Sequence, residues 1–208
     1  KASTSWMLTD VLQETLESGD GIQAAFDDQK MAVAGKNCAS KENYDFWFEG
    51  FTPYYTAGIW TGYDGTAKQD NTYYYQKILK KIMTRVHKAK ACEAKKFAKP
   101  DDIISVKICT KCGNLAVPGL CENALGGSTV RKEYFAKGTQ PLQNCSCHVK
   151  YKICKKSGKA AAAGCPDKDC EYKVYLKKED DLGTKDAPYL VPKTIGDTCK
   201  LHAENEKQ

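Results

Sequence analysis

No run of apolar residues in this 208-residue chain approaches the ~20 needed to span a bilayer. No signal-peptide pattern opens it. Arginine is nearly absent: the basic excess, 32 Lys and Arg against 26 Asp and Glu for a net charge of +6, is almost all lysine. Without arginine forks or a recognition-helix pattern, and with its aromatics placed in buried strands, the chain is no nucleic-acid binder. A mild lysine excess suits an anionic surface instead. Histidine is scarce too, with three residues. His87 is the one imidazole in the first half and, on a charged helical stretch, reads as a surface residue. Cys38 therefore has no base at hand and is no nucleophile. It reads as an ordinary thiol, with Cys92 its partner if oxidised.

What is present is a dense aromatic stretch from Met31 to Asp64. Residues 31–35 read as a short strand of small residues. Phe46, Phe48 and Phe51 lie among Trp47 and Glu49 in a second strand, Thr52-Pro53 marks a turn, and Tyr55–Tyr63 reads as a third. Such a run must be a sheet covered on at least one face, because exposed it would aggregate. Residues 36–43 are polar and read as the mobile element beside it.

This stretch resembles the strands of the bifunctional, class A penicillin-binding proteins. The resemblance rests on Gly35-Lys36, on Asp45-Phe46-Trp47-Phe48-Glu49-Gly50-Phe51-Thr52-Pro53, and on Ile59-Trp60-Thr61-Gly62-Tyr63-Asp64. The family follows its lysine with a hydroxyl residue and glycine, where this chain has Asn37 and Cys38. The resemblance implies that Lys36 and Asn37 hold a substrate carboxylate, charge plus directed donor. It also implies that Cys38 stands at the strand edge where the ligand backbone passes, which favours an impaired pocket. The family's Ser-x-x-Lys has no counterpart: Ser3 is followed by Trp6, Ser40 by Asn43 and Ser157 by Ala160. A nucleophilic serine is absent and no catalytic residue is assigned.

Two helices flank the sheet. In residues 1–19, Thr4 or Ser5 caps a stripe of Trp6, Met7, Leu8, Val11, Leu12 and Leu16, and Gly19 ends it. In residues 70–97, Asp70 or Asn71 caps a stripe of Tyr74, Ile78, Ile82 and Val86, with Tyr75, Leu79 and Met83 beside it. Lys77, Lys80, Lys81, Arg85, Lys88 and Lys90 cover its other face. The resemblance implies that residues 1–98 are the C-terminal portion of a transpeptidase-like domain, which ends at Lys99-Pro100.

Beyond residue 101 nine of the eleven cysteines appear, and so does a repeat. Val106-Lys-Ile-Cys109-Thr-Lys-Cys112-Gly113 matches Tyr151-Lys-Ile-Cys154-Lys-Lys-Ser157-Gly158. Cys121 and Cys165 follow, then strands at Lys132–Phe135 and Lys173–Leu176, then Cys145-x-x-His148 and Cys199-x-x-His202. Modules at 102–148 and 149–208, the second degenerate with an insertion over 177–198, are too small to rely on a hydrophobic core. Phe135-Ala-Lys-Gly138-Thr139-Gln-Pro141 is similar to tails of the same family in Gram-positive anaerobes. The family's position outside the membrane permits oxidised cysteines. Cys109 with Cys121 and Cys154 with Cys165 are the expected disulfides, since they enclose short loops. Three cysteines and one histidine per copy form an alternative tetrahedral zinc set, weakened because its first pair is widely spaced. Free thiols are the third reading. The expectation adopted is disulfides, with no metal and no cofactor.

The fold class expected is α+β: an antiparallel sheet packed by helices, followed by small Cys-rich β modules. The resemblance implies a fragment or degenerate relative of a peptidoglycan D,D-transpeptidase of bacterial cell-wall synthesis, inactive alone. Stem peptide and β-lactams are its partners only in the full-length protein, with the missing first half of the domain, and an anionic wall polymer is a further one. The location implied is the extracellular side of the cytoplasmic membrane, anchored by an upstream segment. The other class is a non-catalytic, wall-associated or partner-binding module.

Overall fold

A computed structural model of the chain describes residues 1–26, 30–70, 73–177 and 184–202. The fold is α+β, and the chain divides into two compact units, Lys1–Ile103 and Ile104–Gln208.

The first unit runs α1 (Ala2–Glu17), β1 (Ala34–Ala39), β2 (Asp45–Phe51), β3 (Thr56–Gly62) and α2 (Tyr74–Ala89). The strands form an antiparallel sheet in the order β1-β2-β3. Alternation along β2 buries Phe46 and Phe48 on one face and leaves Trp47 and Glu49 exposed on the other, the period-2 pattern of a one-sided sheet. The β2–β3 turn closes where Thr52 N–H donates to Tyr55 O at 2.8 Å. The Thr52 hydroxyl accepts from the N–H groups of Tyr54 and Tyr55.

β1 lies later than its small residues suggest. Its ladder takes in the polar segment, pairing Lys36 with Glu49, Asn37 with Phe48 and Cys38 with Trp47. The expected mobile element is therefore a strand followed by a short 3-10 turn, Lys41–Asn43. Pairing to a strongly aromatic neighbour overrides weak local propensity.

Both helices exist, but their faces differ from expectation. Along α1 only Ser3 and Leu16 are buried, while Leu8 and Val11 are exposed. α1 begins at Ala2, so neither Thr4 nor Ser5 caps it, and Ser18, not Gly19, takes its C-cap. α2 begins at Tyr74 and ends at Ala89, without a side-chain cap from Asp70; Asn71 lies outside the described residues. Its buried line is Tyr75, Gln76, Leu79, Met83 and His87, whereas Ile78 and Ile82 are exposed. Two adjacent apolar lines compete on this helix. The stack of Tyr75 on Phe46, with centroids 5.2 Å apart, favours the second. The resulting core is Leu16, Ala24, Phe46, Phe48, Tyr75, Leu79 and Met83. Burying each large side chain there contributes about 1.5–3 kcal/mol.

Two strand pairs follow from the unit boundary onward, β4 (Ile103–Cys109) with β5 (Val130–Ala136), and β6 (His148–Cys154) with β7 (Cys170–Leu176). They are copies in hydrogen bonding as well as sequence. Gly113 N–H donates to Cys109 O and Gly158 N–H to Cys154 O, both at 2.8 Å. Cys145 N–H donates to Leu115 O and Cys199 N–H to Ala160 O, again at 2.8 Å. Gly113 and Gly158 both take positive φ, +73° and +67°, which is why each turn has glycine there. The copies also pack on each other: Leu125 N–H donates to Val174 O, and Leu176 is buried among Cys109, Cys121, Cys145 and Cys147.

Candidate functional site

Two places concentrate chemistry. The first is the edge strand β1. Gly35 is buried there, and a Cβ on it would lie 2.7 Å from both Glu49 O and Phe48 Cζ, so only glycine lets β1 approach β2. Its carbonyl accepts from the Thr15 hydroxyl at 2.8 Å. Among the described residues no strand pairs with the outer side of β1. Lys36 and Cys38 share the open face with Trp47, and both are exposed. The rings of Trp47 and Trp60 stand 6.5 Å apart on that face, with Trp60 Nε1 donating to Asp45 Oδ1.

Asn37 lies on the opposite, helix-covered face. Its Oδ1 accepts from the Tyr75 hydroxyl at 2.5 Å and from Gln76 Nε2 at 3.3 Å, and its Nδ2 donates to Asp20. Burial raises the Tyr75 phenol above its ordinary pKa and keeps it a donor. The structure thus separates the two residues expected to share a carboxylate. Lys36 faces outward from the sheet, and Asn37 fastens α2 to it. Strand alternation alone separates neighbours in this way.

His87, expected on the surface, is buried: its Nδ1 lies 2.7 Å from Met83 O and its Nε2 2.9 Å from the Thr52 hydroxyl. The Met83 carbonyl can only accept, so Nδ1 is assigned the proton and Nε2 accepts from Thr52.

The second place is a pair of cysteine–histidine clusters in the second unit. All eleven cysteines are free thiols, so the expected disulfides Cys109–Cys121 and Cys154–Cys165 are not formed. Each pair instead joins a third cysteine and a histidine. The donor atoms of Cys109, Cys121, Cys145 and His148 lie within 4.8 Å of one another, as do those of Cys154, Cys165, Cys199 and His202. In the first, His148 Nδ1 stands 3.6 Å from Cys109 Sγ and 3.2 Å from Cys145 Sγ. In the second, His202 Nδ1 stands 3.8, 3.3 and 3.6 Å from the sulfurs of Cys154, Cys165 and Cys199. Cys112 and Cys147 add a further grouping in the first copy, with Cys109 and Cys145.

The thiols are not equivalent. Burial pushes Cys109 up, but N–H donors from Lys111 and Cys112 and the Thr129 hydroxyl outweigh it and bring it to about 7. The Ser157 hydroxyl and the N–H groups of Ser157 and Lys156 bring Cys154 to about 6. Burial raises Cys165 to about 11 and lowers His148, where Lys111 adds repulsion. His148 is buried, and its Nε2 has no hydrogen-bond partner among the described residues.

Known proteins resemble this chain along most of its length. A family model described as "Penicillin-binding protein 1A, C-terminal domain" matches residues 99–150. Penicillin-binding protein 1A of Clostridium botulinum (strain Hall) is 32% identical over 203 residues, covering 95% of this chain and 24% of the relative. Penicillin-binding protein 1A/1B of Bacillus subtilis is 30% identical over 154 residues, 66% of this chain and 16% of the relative. A crystal structure of penicillin-binding protein 1A from Haemophilus influenzae aligns with a TM-score of 0.47 at 18% identity, over 69% of this chain and 21% of that one. The chain spans about a quarter or less of the length of these curated relatives.

Proposed function

Because this chain belongs to the class A penicillin-binding proteins and matches their C-terminal part, we propose that its first unit is one wall of a peptidoglycan D,D-transpeptidase site. In the reaction, a serine hydroxyl attacks the carbonyl of the penultimate D-alanine of a stem peptide and the terminal D-alanine leaves. An amine from a second strand then takes the acyl group and frees the serine. Lys36 binds the terminal carboxylate by charge, and the outer edge of β1 aligns the peptide by backbone hydrogen bonds. The observation that carries this reading is Lys36 standing exposed on an edge strand. The chain has no Ser-x-x-Lys, so the nucleophile comes from outside these 208 residues. The site works on the extracellular side of the cytoplasmic membrane.

Two experiments test the reading. The 208-residue chain incubated with a fluorescent penicillin should show no covalent adduct by gel or intact mass; a stoichiometric adduct would overturn the absence of a nucleophile. In the full-length protein, Lys36→Ala should slow acylation by penicillin about 10- to 100-fold, the worth of one charge-assisted hydrogen bond. An unchanged rate contradicts its role.

The basic face of α2 supplies the anionic-polymer contact. Lys77, Lys81 and Arg85 line one shallow groove with Gln23 and Thr84. Retention on an anionic polymer should fall with salt and vanish when those three are changed to Glu. Retention that survives the triple change rules out this face.

A further inference from the structure

We propose that the second unit is a two-site zinc module, in which Cys109, Cys121, Cys145 and His148 hold one ion and Cys154, Cys165, Cys199 and His202 hold another. Zinc bound at about 2.3 Å to sulfur and 2.0–2.1 Å to nitrogen in a tetrahedron requires sulfur–nitrogen edges of about 3.6 Å. Five of the six such edges in the two sets run 3.2, 3.6, 3.3, 3.6 and 3.8 Å, and the sixth, Cys121 to His148, lies within 4.8 Å. In both sets the same nitrogen, Nδ1, faces the sulfurs.

The donor chemistry narrows the ion. Three thiolates and an imidazole form a soft, four-coordinate set that suits zinc, and four protein donors leave no open position. Such a site is structural rather than catalytic. Six of the eight donors are cysteines with 8% exposure or less, and His148 is 4% exposed. Burying a histidine among thiols in an otherwise thin core is costly unless something takes its lone pair. Around the second set the buried cluster is Cys154, Cys165 and Cys199 alone, with Ala161, Ala162 and Cys170 against it. Three thiols are no substitute for an aliphatic core, whereas a bound ion crosslinks three loops. The backbone N–H of Val117 donates to Cys121 Sγ at 3.3 Å. N–H donors aimed at sulfur are what a metal-bound thiolate needs from its surroundings.

The repeat itself decides between the groupings in the first copy. Cys112 and Cys147 complete an all-cysteine set with Cys109 and Cys145. In the second copy their places are taken by Ser157 and Leu201, neither a zinc ligand. The set that both copies retain is three cysteines and one histidine.

The assignment stands apart from the transpeptidase reading and is tested without activity. The chain is purified with no chelator and its zinc counted, then stripped and titrated with Co2+, whose thiolate charge-transfer and tetrahedral bands report the donor set. Two equivalents are expected, reduced to one by His202→Ala or Cys199→Ser and still two in the Cys112→Ser, Cys147→Ser double variant. One equivalent or none in the unmodified chain overturns the proposal. Loss of the first site in the double variant moves that ion to the all-cysteine set and also overturns it. Should a ligand variant fail to fold, the count on the unmodified chain and the double variant decide alone.

Discussion

His148 and Cys154 are the two ends of one strand, β6, and each contributes its donor atom to a different cluster. Six residue steps at about 3.3 Å place the clusters about 20 Å apart along an unbroken antiparallel pair with β7. The strand is therefore fixed at both ends by the same kind of site.

That shared strand predicts coupling between the sites. Emptying the second with Cys199→Ser frees one end of β6, and the first should then bind zinc about 5-fold more weakly or worse. A competition titration against a chromophoric chelator measures this. An unchanged first-site affinity would mean that the two copies fold independently, despite the Leu125–Val174 hydrogen bond and the packing of Leu176.

The tryptophans allow the units to be followed apart. All three, Trp6, Trp47 and Trp60, lie in Lys1–Ile103. A strong chelator should abolish the slow amide exchange of β6 and β7 while tryptophan emission stays constant. A simultaneous shift in emission would contradict separate stability of the two units, because it would make the aromatic sheet depend on the metal.

Thr52 and His87 supply a test inside the first unit. The Thr52 hydroxyl donates to His87 Nε2 and accepts from the Tyr54 and Tyr55 N–H groups. Thr52→Val keeps the shape and leaves the buried imidazole nitrogen without its donor, at a cost of about 1–3 kcal/mol. Urea unfolding followed by tryptophan emission should show that loss. A variant as stable as the parent would mean that water replaces the hydroxyl.

The aromatic strands, the turn at Thr52-Pro53 and the match of Val106–Gly113 to Tyr151–Gly158 were legible because each is a local pattern. Phe46 and Phe48 must face one way, and a glycine at positive φ leaves its mark in sequence. The start of β1 was not legible, because Lys36-Asn37-Cys38 looks like a loop until β2 pairs with it. Nor was the buried line of α2, where Tyr75 and Ile78 compete as neighbours and the winner is set by Phe46 across the core. His87 was hidden for the same reason: its partner Thr52 lies 35 residues away. In the second unit the repeat identified all eight cluster residues. Short loop length, however, pointed to disulfides between Cys109 and Cys121 and between Cys154 and Cys165. Loop length does not report the folding-back of Cys145-x-x-His148 and Cys199-x-x-His202 onto the first two cysteines, a long-range contact.

Native mass spectrometry of the chain, paired with alkylation of the denatured but unreduced protein, tests the metal-held second unit most directly. The expected native mass is two zinc ions above the polypeptide, with eleven alkyl groups once the ions are stripped, one for each free cysteine. A native mass equal to the bare polypeptide, with the 109/121 and 154/165 peptides disulfide-linked and protected from alkylation, would contradict it.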